Sequence, residues 1–310
     1  MLPAQIDDDA FDALHERPQD WLPELRTLAD ALGPLGDGEL RPASGGGSAL
    51  VALLGEDRVL KCYPPNMQDH FAYELGALPV LADRLAVPSP RLLADGVHHG
   101  WPWMLMTRLA GTPMTAAWPV RDEPGKNALL RQIGALIAQV HALPVPESMR
   151  PRSLVWVDFI AHQRAGCAAR QQRTGLPDHL LAQLAAFLDG PLPDGPQALL
   201  TGEYTPMNLL VDAGDAARLA GMYDFGDGLI GPRAYDWLGP LCFLAAGQPA
   251  RIAALRAGLG LAAPWSADER RQLLRLMLLH RYSCLRAQIR LDGWQQAASF
   301  EALADRLWAE

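Results

Sequence analysis

Apolar residues recur at both helical and strand spacing up to about residue 110, and mainly at helical spacing after it. Residues 10–35 carry leucines near helical spacing and predict a helical leader. Two short apolar runs, residues 49–54 and 58–63, flank the turn Gly55-Glu56-Asp57. This pattern predicts two strands joined by a tight turn.

The pattern also predicts the elements of the remaining chain. A helix is predicted over residues 68–85, followed by strands over 90–94 and 103–107. Gly111 and Pro113 then interrupt the periodicity. Beyond them we predict helices over residues 127–143, 179–188, 268–291 and 300–308, with a strand-rich segment over 198–225.

The order of these elements predicts an α+β, bilobal architecture. A helical leader over residues 1–38 precedes a small β-rich lobe over residues 39–108. A larger, mostly helical lobe then spans residues 109–310. A cleft between two lobes is a common place for a ligand, so we expect the functional site there.

Composition and charge exclude several classes of protein. The 310 residues include 27 basic and 35 acidic side chains, and this net charge of −8 argues against a bulk nucleic-acid binder. The apolar fraction of 49% excludes a disordered chain. Apolar runs stay far short of the ~20 residues of a membrane span, and the acidic N-terminus does not resemble a secretory signal. We expect a cytoplasmic protein with no nucleic-acid or membrane partner.

The strongest chemical signal lies in residues 201–211 and 222–227. Glu203 is followed five positions later by Asn208, in a tight loop that leads into a strand, and Asp224 ends the next strand. Phosphoryl transfer needs a carboxylate that positions the acceptor, oxygen ligands for magnesium and a cation on the nucleotide phosphates. Carboxylate and amide oxygens are ligands that magnesium prefers. The spacing therefore indicates a magnesium and phosphate site.

This segment resembles the catalytic loop of the aminoglycoside phosphotransferase and choline kinase family, whose members are small-molecule relatives of the protein kinases. The resemblance covers about residues 40–245. It implies a bilobal protein-kinase-like fold in which Asn208 and Asp224 match the metal ligands and Asp227 a second acidic position. Asp236, in the segment Gly231-Pro232-Arg233-Ala234-Tyr235-Asp236, would anchor the loop by hydrogen bonds.

One position departs from the family pattern. The family's His-Gly-Asp is Thr201-Gly202-Glu203 here, so the resemblance places Glu203 as the catalytic base. The extra methylene moves the carboxylate by roughly 1.5 Å, and a misplacement of ~1 Å can cost on the order of a hundredfold in rate. The predicted function is ATP- and magnesium-dependent transfer of the γ-phosphoryl group to a hydroxyl of a small molecule. The alternative is a nucleotide-binding pseudokinase or a partner-binding module.

The small lobe contributes the expected nucleotide-binding residues. Lys61 ends an apolar run on the second strand, where a kinase-like lobe places the lysine that contacts nucleotide phosphates. Glu74 follows on the next helix and is expected to orient Lys61. A glycine-rich turn precedes both, and its backbone N–H groups can approach the phosphates of ATP or another nucleoside triphosphate. A flexible hairpin turn is the alternative interpretation. The turn residues are Ser44, Gly45, Gly46 and Gly47.

The cysteines and histidines give weaker evidence of a functional site. The four cysteines lack a CxxC pair, which indicates buried thiols rather than a disulfide framework or a structural zinc site. His98 and His99 lie in a predicted hairpin turn and are expected at the surface. His141 matches a position near a helix end in the family and is expected to make a structural hydrogen bond.

Overall fold

The computed structural model of the protein describes residues 2–43, 47–215 and 217–310. Its N-terminal part contains a five-stranded antiparallel sheet with the strand order β1-β2-β3-β5-β4. The strands are β1 (Leu40–Pro42), β2 (Leu50–Leu54), β3 (Arg58–Cys62), β4 (Leu92–His98) and β5 (Trp101–Thr107). Both strands predicted around the turn at residues 55–57 are therefore present, within one residue at each end.

Two helices of the leader cover one face of this sheet. They are α1 (Asp8–His15) and α2 (Pro18–Asp30). The predicted leader is thus divided, because Pro18 occupies the first turn of α2, where a missing N–H costs least. Trp21 and Leu25 of α2 pack with Leu60 and Trp101 of the sheet in one buried cluster.

The opposite face of the sheet packs against α3 (Gln68–Leu81) and the rest of the chain. Side chains alternate along a strand. Leu60 and Cys62 therefore point to the leader, whereas Val59 and Lys61 point to the other face. The helix α3 ends four residues before the predicted residue 85, because Ala82 leaves the helical conformation and Asp83 has φ = 60°.

The C-terminal part is mostly helical and carries short antiparallel strand pairs. Strands β6 (Thr112–Pro113), β8 (Leu209–Val211) and β9 (Leu219–Met222) form one sheet, and β7 (Gln197–Leu200) pairs with β10 (Leu229–Pro232). The helices are α4 (Met114–Ala117), α5 (Glu123–Ala142), α6 (Trp156–Arg173), α7 (Asp178–Leu181), α8 (Leu184–Leu188), α9 (Ala234–Pro240), α10 (Pro249–Gly258), α11 (Ala267–Leu278), α12 (Leu285–Gln288) and α13 (Phe300–Trp308).

The predicted helix over residues 268–291 is present only as far as Leu278, as α11, and is wrong as a continuous helix beyond it. The chain leaves α11 after Leu278, and the following turn directs His280 and Tyr282 towards the loop after β7 and the loop after β9. Tertiary contacts of these side chains therefore override a helical pattern in the local sequence. The predicted helix over 179–188 is likewise divided, into α7 and α8.

No single helix in the described ranges is long and apolar enough to cross a membrane. One bent pair, Glu123–Ala142 with Glu147–Arg173, meets the length and composition criteria together. The cytoplasmic location and the boundaries at residues 38 and 108 stay predictions. Three of the cysteines are buried, as expected, and Cys284 is half-buried.

Candidate active site

A buried ion cluster joins the sheet, α3 and the strand pair β8–β9. Lys61 of β3 places its Nζ 2.7 Å from Oε2 of Glu74 on α3 and 2.6 Å from Oδ1 of Asp224. Lys61 and Glu74 are buried, whereas the side chain of Asp224 is 31% exposed. The hydroxyl of Tyr63 also donates to Oε2 of Glu74.

The backbone at Asp224 fixes this geometry. Asp224 has φ = 68°, in the left-handed region that residues other than glycine rarely adopt. The next residue, Phe225, donates its N–H to Oε1 of Glu74 at 3.2 Å. Glu74 therefore holds both the lysine and the backbone that follows Asp224. Backbone strain of this kind concentrates at functional sites.

The electrostatics of the cluster keep Lys61 charged. Burial by itself would lower the pKa of the Lys61 amine, because a charged group loses its hydration. The carboxylates of Asp224 and Glu74 outweigh burial and raise this pKa well above its ordinary value. The site therefore contains a fixed, desolvated cation beside the exposed side of Asp224.

The loop after β7 is anchored by a second buried carboxylate. Asp236 accepts hydrogen bonds from the N–H groups of Thr201 at 3.2 Å and Gly202 at 2.9 Å. His141 Nε2 lies 2.9 Å from Asp236 Oδ2. Gly202 has φ = 85°, and a Cβ there would lie 2.5 Å from the carbonyl oxygen of Asp227. Only glycine fits this position, and Asp236 and His141 make the structural hydrogen bonds expected of them.

This anchored loop brings Glu203 to the side chain of Asn208. The amide Nδ2 of Asn208 donates to Oε2 of Glu203 at 3.3 Å. Strands β8 and β9 pair antiparallel, so the start of β8, which Asn208 precedes, lies beside the end of β9. The carbonyl oxygen of Asn208 accepts a hydrogen bond from the N–H of Tyr223 at 3.1 Å. Asn208 and Asp224 therefore lie at the same end of the strand pair.

The side chain of Glu203 is largely shielded from water and lies near other carboxylates. Burial, followed by the charges of Asp227 and Asp224, raises the pKa of Glu203 to about 8. A carboxyl group in this range is suited to exchange a proton near neutral pH. The glutamate that replaces the expected aspartate is thus placed beside the predicted metal ligand.

Asp227 belongs to a network that crosses between α3 and the turn after α11. Its Oδ1 accepts from the Tyr282 hydroxyl at 2.8 Å and lies 3.0 Å from His70 Nδ1. Arg281 contacts Nε2 of His70. His70 therefore lies between the guanidinium of Arg281 and the carboxylate of Asp227. Burial would raise the pKa of Asp227, but His70, Arg281 and Tyr282 lower it overall.

His280 is a site residue that sequence analysis missed. Its ring stacks on Tyr235 with centroids 4.6 Å apart. Nδ1 accepts from the N–H of Tyr282 at 3.3 Å, and Nε2 lies 3.4 Å from the carbonyl oxygen of Gly202. These contacts assign a neutral ring protonated at Nε2. Burial lowers the pKa of His280 to about 4. The only sequence signal was a histidine in an otherwise helical pattern.

The structure therefore gathers most of the predicted site residues. Lys61, Glu74 and Asp224 form one cluster, and Glu203 and Asn208 form an adjoining pair. Of the glycine-rich turn, Ser44, Gly45 and Gly46 lie outside the described residues, and Gly47 is exposed. The role of the turn stays a prediction.

A cavity of about 530 Å³ lies away from these residues. Its walls include Arg233, Trp237 and Trp265, and it reaches His141. It includes none of the predicted site residues, so cavity size alone does not identify the reaction site here.

The sheet, the helical C-terminal part and the ion cluster between them define a protein-kinase-like fold. The phosphotransferase enzyme family matches residues 39–274, and the chain belongs to this family. No protein of curated function is similar enough in sequence to be matched.

Solved structures share the fold at low sequence identity. A GDP complex of aminoglycoside 2'-phosphotransferase-IIIa is 18% identical, with a TM-score of 0.67, over 92% of this chain and 97% of that one. The macrolide 2'-phosphotransferase MphH from Brachybacterium faecium is 20% identical, with a TM-score of 0.60 and coverages of 93% and 98%. An aminoglycoside phosphotransferase from Streptomyces rimosus, in complex with ADP and streptomycin, is 20% identical, with a TM-score of 0.59 and coverages of 84% and 98%.

The buried neutral state of His280 predicts a specific acid sensitivity. With a folded-state pKa of about 4 against an ordinary 6.5, the unfolded chain takes up a proton that the folded chain does not. Stability is therefore lost as pH falls from about 6.5 towards 4, by about 1.4 kcal/mol for each unit of pKa difference. We expect His280→Gln, which keeps a donor for Gly202, to flatten this part of the profile.

The measurement is the free energy of unfolding by urea between pH 7.5 and 4.5. The control is His162→Gln, which replaces an exposed histidine on α6. Identical slopes for the wild type and His280→Gln would contradict the assignment of a buried neutral ring.

Proposed function

We propose that the protein transfers the γ-phosphoryl group of ATP, or of another nucleoside triphosphate, to a hydroxyl group of a small molecule. The observation that carries the proposal is the buried Lys61 amine, held at 2.7 Å from Glu74 and 2.6 Å from Asp224. Phosphoryl transfer needs a cation on the nucleotide phosphates, oxygen ligands for magnesium and a carboxylate that positions the acceptor. Lys61, Asp224 and Glu203 are the side chains suited to these three tasks. Family membership supports the same reaction class.

Lys61 is proposed to bind the nucleotide phosphates. Its amine carries three donors, and the contacts to Glu74 and Asp224 leave one for a phosphate oxygen. Glu74 is 1% exposed and fixes the amine from the buried side. The partly exposed Asp224 marks the side from which the nucleotide arrives.

The donor set at the end of β8 and β9 fits magnesium. Since Asn208 Nδ2 faces Glu203, its amide oxygen is left without a hydrogen bond to the described residues, and Asp224 adds a carboxylate at the same end of the strand pair. Asp227 adds negative charge nearby, because its charge and that of Asp224 contribute, after burial, to the raised pKa of Glu203. Asn208 and Asp224 would hold the ion, which, when bound, neutralises charge on the transferred phosphoryl group.

Glu203 is proposed to orient the acceptor hydroxyl and to take its proton. Its side chain reaches Asn208, so the longer glutamate is accommodated within the anchored loop. The fixed position of the loop, through Asp236 and Gly202, keeps the carboxylate beside the metal ligands. We therefore favour an adapted enzyme over a pseudokinase, because Lys61 and its partners are all retained.

Asp227 is proposed as an accessory acidic group rather than as a first choice of metal ligand. Oδ1 of Asp227 is already shared by Tyr282 and His70. The structural neighbours include aminoglycoside phosphotransferases in complex with kanamycin or streptomycin and a macrolide phosphotransferase, so acceptors with several hydroxyl groups are the first compounds to assay.

The magnesium assignment predicts metal-dependent stabilisation by ATP. Ligand at a hundred times its dissociation constant adds about 2.7 kcal/mol to stability. We expect ATP to raise the melting temperature much more with magnesium than without it, and Asp224→Ala to abolish that increment. Thermal shift measurements with the exposed control Asp57→Ala test this expectation. A full increment in Asp224→Ala would show that the metal is held elsewhere.

The role of Glu203 predicts an order of activities among its variants. Glu203→Asp withdraws the carboxylate by about one bond length and is expected to lower transfer by about a hundredfold. Glu203→Gln removes the base and is expected to lower transfer by roughly 10²–10⁴-fold. Phosphoryl transfer to a panel of aminoglycosides and macrolides, or slow ATP hydrolysis, provides the measurement. Glu147→Gln, at an exposed position, is the control.

The same experiment separates the enzyme from the pseudokinase. An inactive wild type across the panel, together with a gain of activity in Glu203→Asp, would overturn the proposal.

A further inference from the structure

We propose that Glu24, His98 and His99 bind a divalent transition-metal ion of the zinc type on the small lobe. One ligand atom from each of these residues lies within 4.8 Å of the others. Nitrogen from histidine and oxygen from a carboxylate are typical zinc ligands. This site is separate from the oxygen donors Asn208 and Asp224, and the proposal does not rest on the phosphotransferase function.

Two different elements bring the three residues together. Glu24 lies on α2, and His98 ends β4, with its Nε2 3.6 Å from Oε2 of Glu24. The alternation along β4 places His98 on the same face as Ala94, which packs against the leader cluster. The face of β4 that packs against the leader therefore also directs the ring of His98 towards α2.

The state of His98 indicates an unfilled coordination position. The Nε2 atom of His98 is buried and has no hydrogen-bond partner among the described residues. Its side chain as a whole is only 17% exposed, so water has limited access to the ring. The contact of this nitrogen with Oε2 of Glu24, at 3.6 Å, is longer than a normal hydrogen bond, and a metal ion bound between the two atoms would satisfy both.

The tight turn after β4 places His99 next to His98. His99 has φ = 51° and Gly100 has φ = 86°, which makes them the two central residues of a tight hairpin connection. Asparagine, aspartate and glycine are preferred where φ is positive in such turns. The ring centroids of His99 and His98 lie 4.3 Å apart, and the two ring planes make an angle of 64°. The turn thereby supplies the third ligand of the proposed site.

The spacing suits a small ion after modest rotation of the side chains. Zinc binds histidine nitrogen at about 2.0–2.1 Å in near-tetrahedral geometry, so ligand atoms about 3.4 Å apart are needed. The measured 3.6 Å between His98 and Glu24 is already close to this value. Three protein ligands leave a fourth position for water. The bound ion would fasten α2 of the leader to the β4–β5 hairpin.

The test uses the full chain, stripped of metal with a chelator, and Zn²⁺ or Co²⁺ as the probe. We expect one equivalent of Zn²⁺ to bind, Co²⁺ to give a ligand-field absorption band, and Zn²⁺ to raise the melting temperature. His98→Ala, His99→Ala and Glu24→Gln should each weaken binding by at least about tenfold. The exposed His162→Ala on α6 serves as the matched control and should bind like the wild type.

Folding of each variant is checked by its melting temperature without metal, so that a lost site is not confused with a lost fold. Binding that survives in His98→Ala and Glu24→Gln, or that disappears equally in His162→Ala, would overturn the proposal. Absence of any stoichiometric binding to the wild type would overturn it as well.

Discussion

The structure depends on one buried charge, the ammonium group of Lys61. An ammonium ion in a low-dielectric environment is costly unless partners with good geometry surround it. Glu74 comes from a helix and Asp224 from the end of a strand pair in the other half of the chain. The charge of Lys61 can therefore be stabilised only when the sheet, α3 and the β8–β9 pair are assembled together.

This constraint explains the backbone around the site. Asp224 adopts a left-handed conformation, and Phe225 donates to Glu74, so the same carboxylate fixes a side chain and a main chain. The neighbouring loop has its own support, because Asp236 holds the N–H groups of Thr201 and Gly202. Two buried carboxylates thus fix the two parts of the candidate site separately, since Glu74 holds Lys61 and the backbone after Asp224 whereas Asp236 holds the loop that leads to Glu203.

Part of this candidate site could be predicted from the sequence because its motifs are local, although their meeting across the chain is not. Strand alternation places Lys61 on one face, and the pattern around Glu203 and Asn208 is confined to a single loop. The network of His70 and Tyr282 on Asp227 could not be predicted in the same way, because its members are far apart in sequence. The helix predicted across residue 280 failed for that reason: local periodicity does not record the long-range contacts that end a helix.

The family pattern His-Gly-Asp, which the loop after β7 resembles, has a histidine where this chain has Thr201. Here an imidazole reaches the loop from outside it, since His280 contacts the carbonyl oxygen of Gly202 and stacks on Tyr235. A buried imidazole therefore lies beside this loop, although the loop itself, residues 201–208, contains no histidine.

The central claim is that Lys61 is a phosphate ligand and not only a structural ion-pair partner. The most direct measurement compares the dissociation constants of ATP and adenosine for the wild type and for Lys61→Met, which keeps the length of the side chain without its charge. Our account predicts a large loss of affinity for ATP and almost none for adenosine, because adenosine has no phosphates. An equal loss for both ligands, or an unchanged affinity for ATP, would contradict it.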